Sequence, residues 1–213
     1  MVLNFPNKKS TNKSKAVTHV TSSNISKDSK PAKEKNASKA NMGMQLEEMI
    51  NLSNEYYLNN NIAIIHKKPT PVQIVKVDYP QRNKAKIIEA YYKTPSTTDY
   101  NGIYKGRYID FDAKENHNKT AFPLKNIHPH QISHLKSIIE HGGIGFLIVS
   151  WNAYDEYYLL PMDIIFEYWD KANKDDGRKS IPYEVFKEKA YPIKVSYVPR
   201  LDYLKVIDQV YIK

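Results

Sequence analysis

The 213-residue sequence contains no cysteine. That excludes disulfide staples and thiolate metal cages, leaves any metal to oxygen or imidazole ligands, and makes a reducing compartment natural. No apolar run approaches the roughly 20 residues of a membrane span, and the N-terminus lacks the apolar stretch of a secretory signal. A soluble, cytoplasmic protein without membrane contact is therefore expected. No internal repeat is present. Between Ser10 and Ala40 large apolar side chains are almost missing, and Lys, Ser, Asn, Thr and Ala dominate. Burial there cannot offset an ordering entropy of about 1–2 kcal/mol per residue. Residues 1–40 are thus expected to be a basic low-complexity tail, disordered when free. It is either a solvated segment of no specific use or a lysine arm adding salt-sensitive DNA affinity.

The formal net charge is +9, from 32 Lys+Arg against 23 Asp+Glu, but residues 1–41 hold nine lysines against only Asp28 and Glu34. The remainder is close to neutral, so the basic balance alone is weak evidence for a nucleic-acid-binding fold. A second concentration lies inside the folded part. Lys67, Lys68, Lys76, Arg82, Lys84, Lys86 and Lys93 face only Asp78 and Glu89 between residues 67 and 93, a charge suited to phosphate contacts without base readout. Core packing is the expected role of Tyr91 and Tyr92, with stacking on exposed bases as the alternative; Tyr79 carries the same ambiguity.

Periodicity places an amphipathic helix over residues 44–59, with Leu46, Met49, Ile50, Ser53 and Tyr57 on one face. Ile62–His66 reads as a short buried strand ended by Pro69 and Pro71, Val72–Val77 as a second strand, and Asn83–Tyr92 as a short helix. The strongest hairpin signal runs from Thr97 to Tyr104, through a Lys105-Gly106 turn, to Arg107–Glu115. Pro129 opens a helix whose buried stripe is Ile132, Leu135, Ile138 and Ile139 and which stops at Gly142-Gly143. Strands over Gly145–Trp151 and Glu156–Leu160 follow, then helices over Met162–Lys171, Tyr183–Lys189 and Leu201–Tyr211. Strands flanked by helices on both sides in sequence point to a mixed α/β layer fold. Trp151 and Trp169 read as core aromatics.

Alternate residues of a strand share a face. On the second hairpin arm Ile109, Phe111 and Ala113 should point into the core, leaving Asp110, Asp112 and Lys114 on an open face. With the turn at Lys105-Gly106, Asp99 comes opposite or diagonal to Asp112, close enough to share a cation. Phosphodiester hydrolysis needs an activated water and stabilisation of developing negative charge on phosphate. A divalent ion on carboxylate oxygens meets both needs, and a lysine two residues after the acid reaches the same centre. Asp99 followed by Asp112-Ala113-Lys114 is the spacing of the PD-(D/E)xK nucleases; an exposed hairpin face bearing a salt bridge is the competing reading. His66, His117, His128, His130, His134 and His141 have spacings that fit no zinc motif.

Several separated blocks extend this pattern: Gly43–Glu48, IAIIHKKPTPVQIV over residues 62–75, STTDYNGIYKGRYID over 96–110, FDAKE over 111–115, Asn118-Lys119-Thr120, Phe122-Pro123-Leu124, His130-Gln131 and Pro199–Tyr203. On these the chain resembles the RecU family of Holliday junction resolvases over nearly all of residues 41–213. The resemblance implies a restriction-endonuclease-like mixed sheet flanked by helices, with residues 69–93 as a basic stalk that protrudes into a four-way DNA junction. It implies a homodimer nicking symmetric strands with magnesium, or manganese in its place, and recombination and branch-migration proteins as further partners. Thr97, Asp99, Asp112 and Gln131 match the family's magnesium-site positions, and Lys114 matches the residue assigned to transition-state stabilisation. Glu47 or Glu48 matches an acid that supports the site from behind. One departure stands out: the family usually has glutamate at the position of Asp112, one methylene longer, and Asp110 is a neighbouring carboxylate that could compensate. The alternatives are a duplex endonuclease on the same site and a junction-binding protein whose catalysis has decayed. An RNA-binding protein fits less well, since the tail lacks aromatic platforms.

Overall fold

The computed structural model describes residues 45–93, 97–174 and 176–212. The expected tail lies outside these residues.

Chain order runs α1 (Leu46–Asn59), β1 (Ile64–Lys67), β2 (Val72–Asp78), β3 (Lys86–Tyr92), β4 (Tyr100–Tyr104), β5 (Arg107–Asn116), β6 (Ala121–Pro123), α2 (Pro129–Glu140), β7 (Ile144–Trp151), β8 (Glu156–Pro161), α3 (Met162–Ala172), β9 (Ser180–Pro182), α4 (Tyr183–Lys189), β10 (Tyr191–Pro192) and α5 (Tyr203–Val210). Six strands form one sheet in the order β1-β4-β5-β7-β8-β10. Every adjacent pair is antiparallel except β5 and β7, which run parallel. A parallel pair needs a crossover, and α2 lies in the connection. The fold class is the mixed α/β layer arrangement expected from the sequence.

β7 is buried at all eight positions, the mark of a strand covered on both faces. Ile144, Phe146 and Ile148 face a core shared with α1 and α5, while Leu147, Val149 and Trp151 face a second core under α2, α3 and α4. In the first core the rings of Tyr100, Phe111 and Phe146 stack across β4, β5 and β7, with centroids 4.9 and 4.8 Å apart. Each fully buried ring contributes about 1.5–3 kcal/mol. This stack locks the register of the strands that carry the site.

The hairpin turn is the two-residue kind foreseen: Lys105 and Gly106 both adopt positive φ, 47° and 72°, matching the twist of the flanking strands. Gly102 is required for another reason. A Cβ there would lie 2.0 Å from the Ile64 carbonyl oxygen and 2.6 Å from Ile65 Cα, so β1 packs on β4 only because the side chain is missing. Gly102→Ala is expected to lower the melting temperature by roughly 5–10 °C, as a loss near 3 kcal/mol would. A melt within a degree of wild type would show that β1 yields freely.

Two expectations need correction. Residues 83–92 do not form a helix: a short 3-10 turn at Arg82–Lys84 leads into β3, which pairs with β2 as a separate antiparallel two-stranded sheet. All seven positions of β3 are exposed, and Tyr79, Tyr91 and Tyr92 lie in solvent at 70, 60 and 84% exposure rather than in a core. With no buried face the hairpin has no alternating pattern to read. β1, expected to be buried, is the edge of the main sheet and buries only Ile65. Trp151 is fully buried and Trp169 partly, both in the second core. Among the described residues no helix is long and apolar enough to cross a membrane.

Candidate active site

Tyr100 pairs with Phe111 in the β4–β5 ladder. One step further out, Asp99 comes opposite Asp112. Asp99 precedes β4, and its main chain is held by the Lys68 N–H, which donates to the Asp99 carbonyl at 2.7 Å. Lys114, two residues along β5, lies with its Nζ 2.7 Å from Asp112 Oδ2. Ile109, Phe111 and Ala113 face the first core as expected. The opposite face is not open, however. Asp110 and Asp112 are both 0% exposed, because α2 lies across β5 and β7 on that side. Strand periodicity identifies residues that share a face but does not reveal a layer arriving from further along the chain.

α2 supplies Gln131, 5% exposed. Its Nε2 donates to Asp112 Oδ1 at 2.6 Å, and its Oε1 accepts the His128 N–H at 3.1 Å. These partners fix which way the amide points, since a backbone N–H needs the oxygen and a carboxylate needs the nitrogen. Gln131 is therefore brought to the centre, but the oxygen that could ligate a cation is turned to its own helix cap. The sequence could not give this orientation.

Asp112 Oδ2 is buried and makes no hydrogen bond; the Lys114 contact is an ion pair without hydrogen-bond alignment. Burial pushes the Asp112 carboxyl up to about 7, opposed by the Lys114 ammonium and reinforced by Asp99. Two interacting carboxylates, one of them buried, are donors that suit a hard divalent cation. Among the described residues no three His, Cys, Asp or Glu side chains converge as a metal cage. A cation here would rest on two carboxylates and complete its shell with neutral oxygens, as suits magnesium.

A cleft of about 250 Å³ opens beside this centre, lined among others by Glu47, Lys67, Thr97, Thr98 and Asp99. Glu47 pairs with Lys67 at its rim, whereas Glu48, about 100° further round α1, is exposed. The Tyr100 hydroxyl has its pKa pushed up by burial and then by the charges of Glu47, Asp99 and Asp112. Of the two candidate acids, Glu47 is the one that lines the cleft. Thr97 is half-buried at the cleft wall.

Of the basic residues, Lys76, Lys84, Lys86 and Lys93 are exposed on or beside the β2–β3 hairpin, and Lys67 is committed in part to Glu47. Lys68 has partners within the protein as well: its Nζ reaches Asp110 Oδ2 at 2.9 Å and Thr98 Oγ1 at 3.0 Å. Asp110 is engaged by protein donors at both oxygens: Thr98 at Oδ1, and Lys68 and Tyr108 at Oδ2. The sequence reading also missed Glu115. Gln45 offers α1 no side-chain cap, and Glu115 Oε1 accepts the Leu46 N–H at 3.0 Å instead, tying the helix that carries Glu47 to the strand that carries Lys114. An uncapped helix start is the signal that could have prompted a search for this partner.

An acid on one hairpin arm facing Asp-Ala-Lys on the other, within a mixed sheet covered on both faces, places the chain in the PD-(D/E)xK class. Comparison narrows this further. The family model described as RecU, recombination protein U, matches residues 41–209, and the chain belongs to that family. A Holliday junction resolvase RecU from Bacillus cereus (strain B4264) is 55% identical over 172 residues, covering 81% of this chain and 86% of that protein. The one from Bacillus thuringiensis (strain Al Hakam) is 56% identical over the same coverage. Among solved structures, the Holliday junction resolvase Hjc of Archaeoglobus fulgidus aligns with 67% of this chain and 94% of its own at a TM-score of 0.38 and 6% identity.

Proposed function

We propose that the chain is a magnesium-dependent endonuclease that nicks symmetric strands of four-way DNA junctions as a homodimer, in recombination and repair. The observation that carries the chemistry is the buried Asp112 carboxylate, close enough to Asp99 for the two acids to interact, with the Lys114 ammonium 2.7 Å from Oδ2. A bound magnesium or manganese ion would polarise the phosphate and lower the pKa of water. Asp99 and Asp112 would hold it, with Thr97 at the cleft wall and Gln131 as a further ligand if its amide turns from the His128 N–H. Lys114 lies where it can orient the attacking water or stabilise the charge that develops on phosphate. Glu47 steadies the rim. The homodimer matches the two-fold symmetry of the junction with its own, and family membership supports the junction as substrate. The shorter Asp112 still brings its carboxylate to Gln131 and Lys114.

The β2–β3 hairpin is the proposed DNA contact. Lys76, Lys84, Lys86 and Lys93 are exposed on or beside it, a concentration of positive charge that suits phosphate. Replacing Lys76, Lys84 and Lys86 together by alanine is expected to weaken junction binding and to flatten the plot of log affinity against log salt by up to about 2.7, or about 0.9 for each phosphate no longer neutralised. An unchanged slope would place the phosphate contacts elsewhere.

The deciding experiment compares a synthetic four-way junction with a linear duplex, each with magnesium and with EDTA. Paired nicks in the junction alone, and only with metal, support the proposal. Equal cutting of the duplex would make the chain a general duplex endonuclease. Tight junction binding without nicking under either metal would make it a binding protein.

A further inference from the structure

Asp110 is a buried carboxylate that the reading of the site leaves without a task. It is 0% exposed, and burying a charge is expensive enough that an apolar residue in its place is often neutral or stabilising. Four donors reach it. The Thr98 hydroxyl donates to Oδ1, the Lys68 ammonium and the Tyr108 hydroxyl reach Oδ2 at 2.9 Å each, and His134 Nε2 lies 3.2 Å from Oδ2. Lys68 also donates to the Thr98 hydroxyl at 3.0 Å, closing a ring of three side chains.

Three of these partners adjoin the reaction centre. Thr98 is the chain neighbour of both Thr97 and Asp99. Lys68 holds the Asp99 carbonyl through its own N–H, so its side chain and its main chain grip the same segment from two sides. His134 stands one turn after Gln131 on α2, just as Asp110 stands two residues before Asp112 on β5. Helix and strand are thereby joined by two side-by-side contacts, Gln131 to Asp112 and His134 to Asp110. Asp99 lies one residue past the last pair of the β4–β5 ladder, so strand pairing alone does not clamp it.

We propose that Asp110 is a positioning residue for the reaction: through Thr98, Lys68 and His134 it holds the Asp99 segment and the Gln131 turn of α2 against β5, so that Asp99 and Gln131 converge on Asp112. This rests on the metal-dependent nuclease reading of that centre. Asp110 does not contact the cation or the DNA. Its removal loosens the cation site while leaving the DNA-binding surface intact.

The test measures the magnesium concentration giving half-maximal junction nicking, together with junction affinity in EDTA and the melting temperature. The proteins are wild type, Asp110→Asn, Thr98→Val, Thr98→Ser and Ile165→Val, the last a change in the second core that lowers stability without touching the site. Asp110→Asn and Thr98→Val should raise the half-activating magnesium concentration about 10- to 100-fold, the usual cost of losing a group that orients metal ligands. Junction affinity in EDTA should stay at the wild-type value, and Thr98→Ser, which keeps the hydroxyl, should restore the wild-type midpoint. The proposal is overturned if Thr98→Val activates at the wild-type concentration, if Thr98→Ser is as impaired as Thr98→Val, or if Ile165→Val reproduces the shift. Should Asp110→Asn not fold, the Thr98 pair decides alone. Absence of metal-dependent nicking in the wild type itself would instead sink the nuclease reading, and this role with it.

Discussion

Asp112→Asn is expected to abolish junction cleavage and at the same time to raise the melting temperature of the metal-free protein at pH 7.5. Both effects follow from the cost of an ionised carboxylate in a buried place. Burial pushes the Asp112 carboxyl up to about 7 against an ordinary 3.8. The folded state therefore holds a proton that the unfolded chain releases across that window. Below about pH 3 both states are protonated and the fold loses nothing. As pH rises toward 7 the unfolded chain binds fewer protons than the native one, and stability falls by up to about 1.4 kcal/mol per pH unit. Asparagine imitates the protonated acid and escapes the loss. It should melt roughly 5 °C higher than wild type at pH 7.5 in EDTA, as a gain near 2 kcal/mol would give, and no higher at pH 3. Magnesium should raise the wild-type melting temperature more at pH 8 than at pH 6, since cation and proton compete for the same carboxylate, and should leave the asparagine variant unmoved. Cleavage should fall about 10³-fold or more, the scale of several kcal/mol of lost transition-state stabilisation. A variant less stable than wild type at pH 7.5 in EDTA would mean that the charged form of Asp112 is what the fold prefers.

Lys114→Ala is expected to lower the cleavage rate about 10²- to 10³-fold, the loss seen when one donor to developing negative charge is removed, with junction binding retained. A second signature separates this role from a plain ion pair. The Lys114 ammonium opposes the upward shift of Asp112; without it the carboxyl holds its proton to higher pH and competes less well for a cation. Residual cleavage by the alanine variant should therefore rise more steeply with pH than that of wild type, and should require more magnesium. Rate and pH profile are read from single-turnover nicking between pH 6.5 and 9. A wild-type rate would reduce Lys114 to a structural counterion.

The convergence of Asp99, Asp112 and Lys114 was legible because two short-range rules compose. A two-residue turn at Lys105-Gly106 fixes the register, and the period of two then puts the three side chains on one face. The cover over that face was not legible. α2 begins 15 residues after Lys114, and nothing within β5 records that a helix will return across it. Asp110 shows the consequence: on sequence it is a spare acid on an open face, and in the fold it is a buried hub. Lys68 is a charge that composition counts toward DNA and that has partners within the protein as well. The β3 segment misled for a different reason. Ile87, Ile88, Tyr91 and Tyr92 cluster at spacings that suit a helix, but their β-branched and aromatic side chains favour a strand, and the pairing partner β2 lies just upstream. Glu47 and Glu48 could not be separated until the side of α1 that meets β5 was known, and the Leu46 N–H to Glu115 contact that ties the two is long-range.

The most direct measurement is anomalous diffraction from crystals equilibrated with manganese at a concentration that supports nicking. One peak is predicted at roughly 2 Å from carboxylate oxygens of both Asp99 and Asp112, the distance of a hard cation on oxygen, with Asp112 Oδ2 among its ligands. A peak bound elsewhere, or none at that site while nicking proceeds, would contradict the assignment of this centre as the place where the DNA is cut.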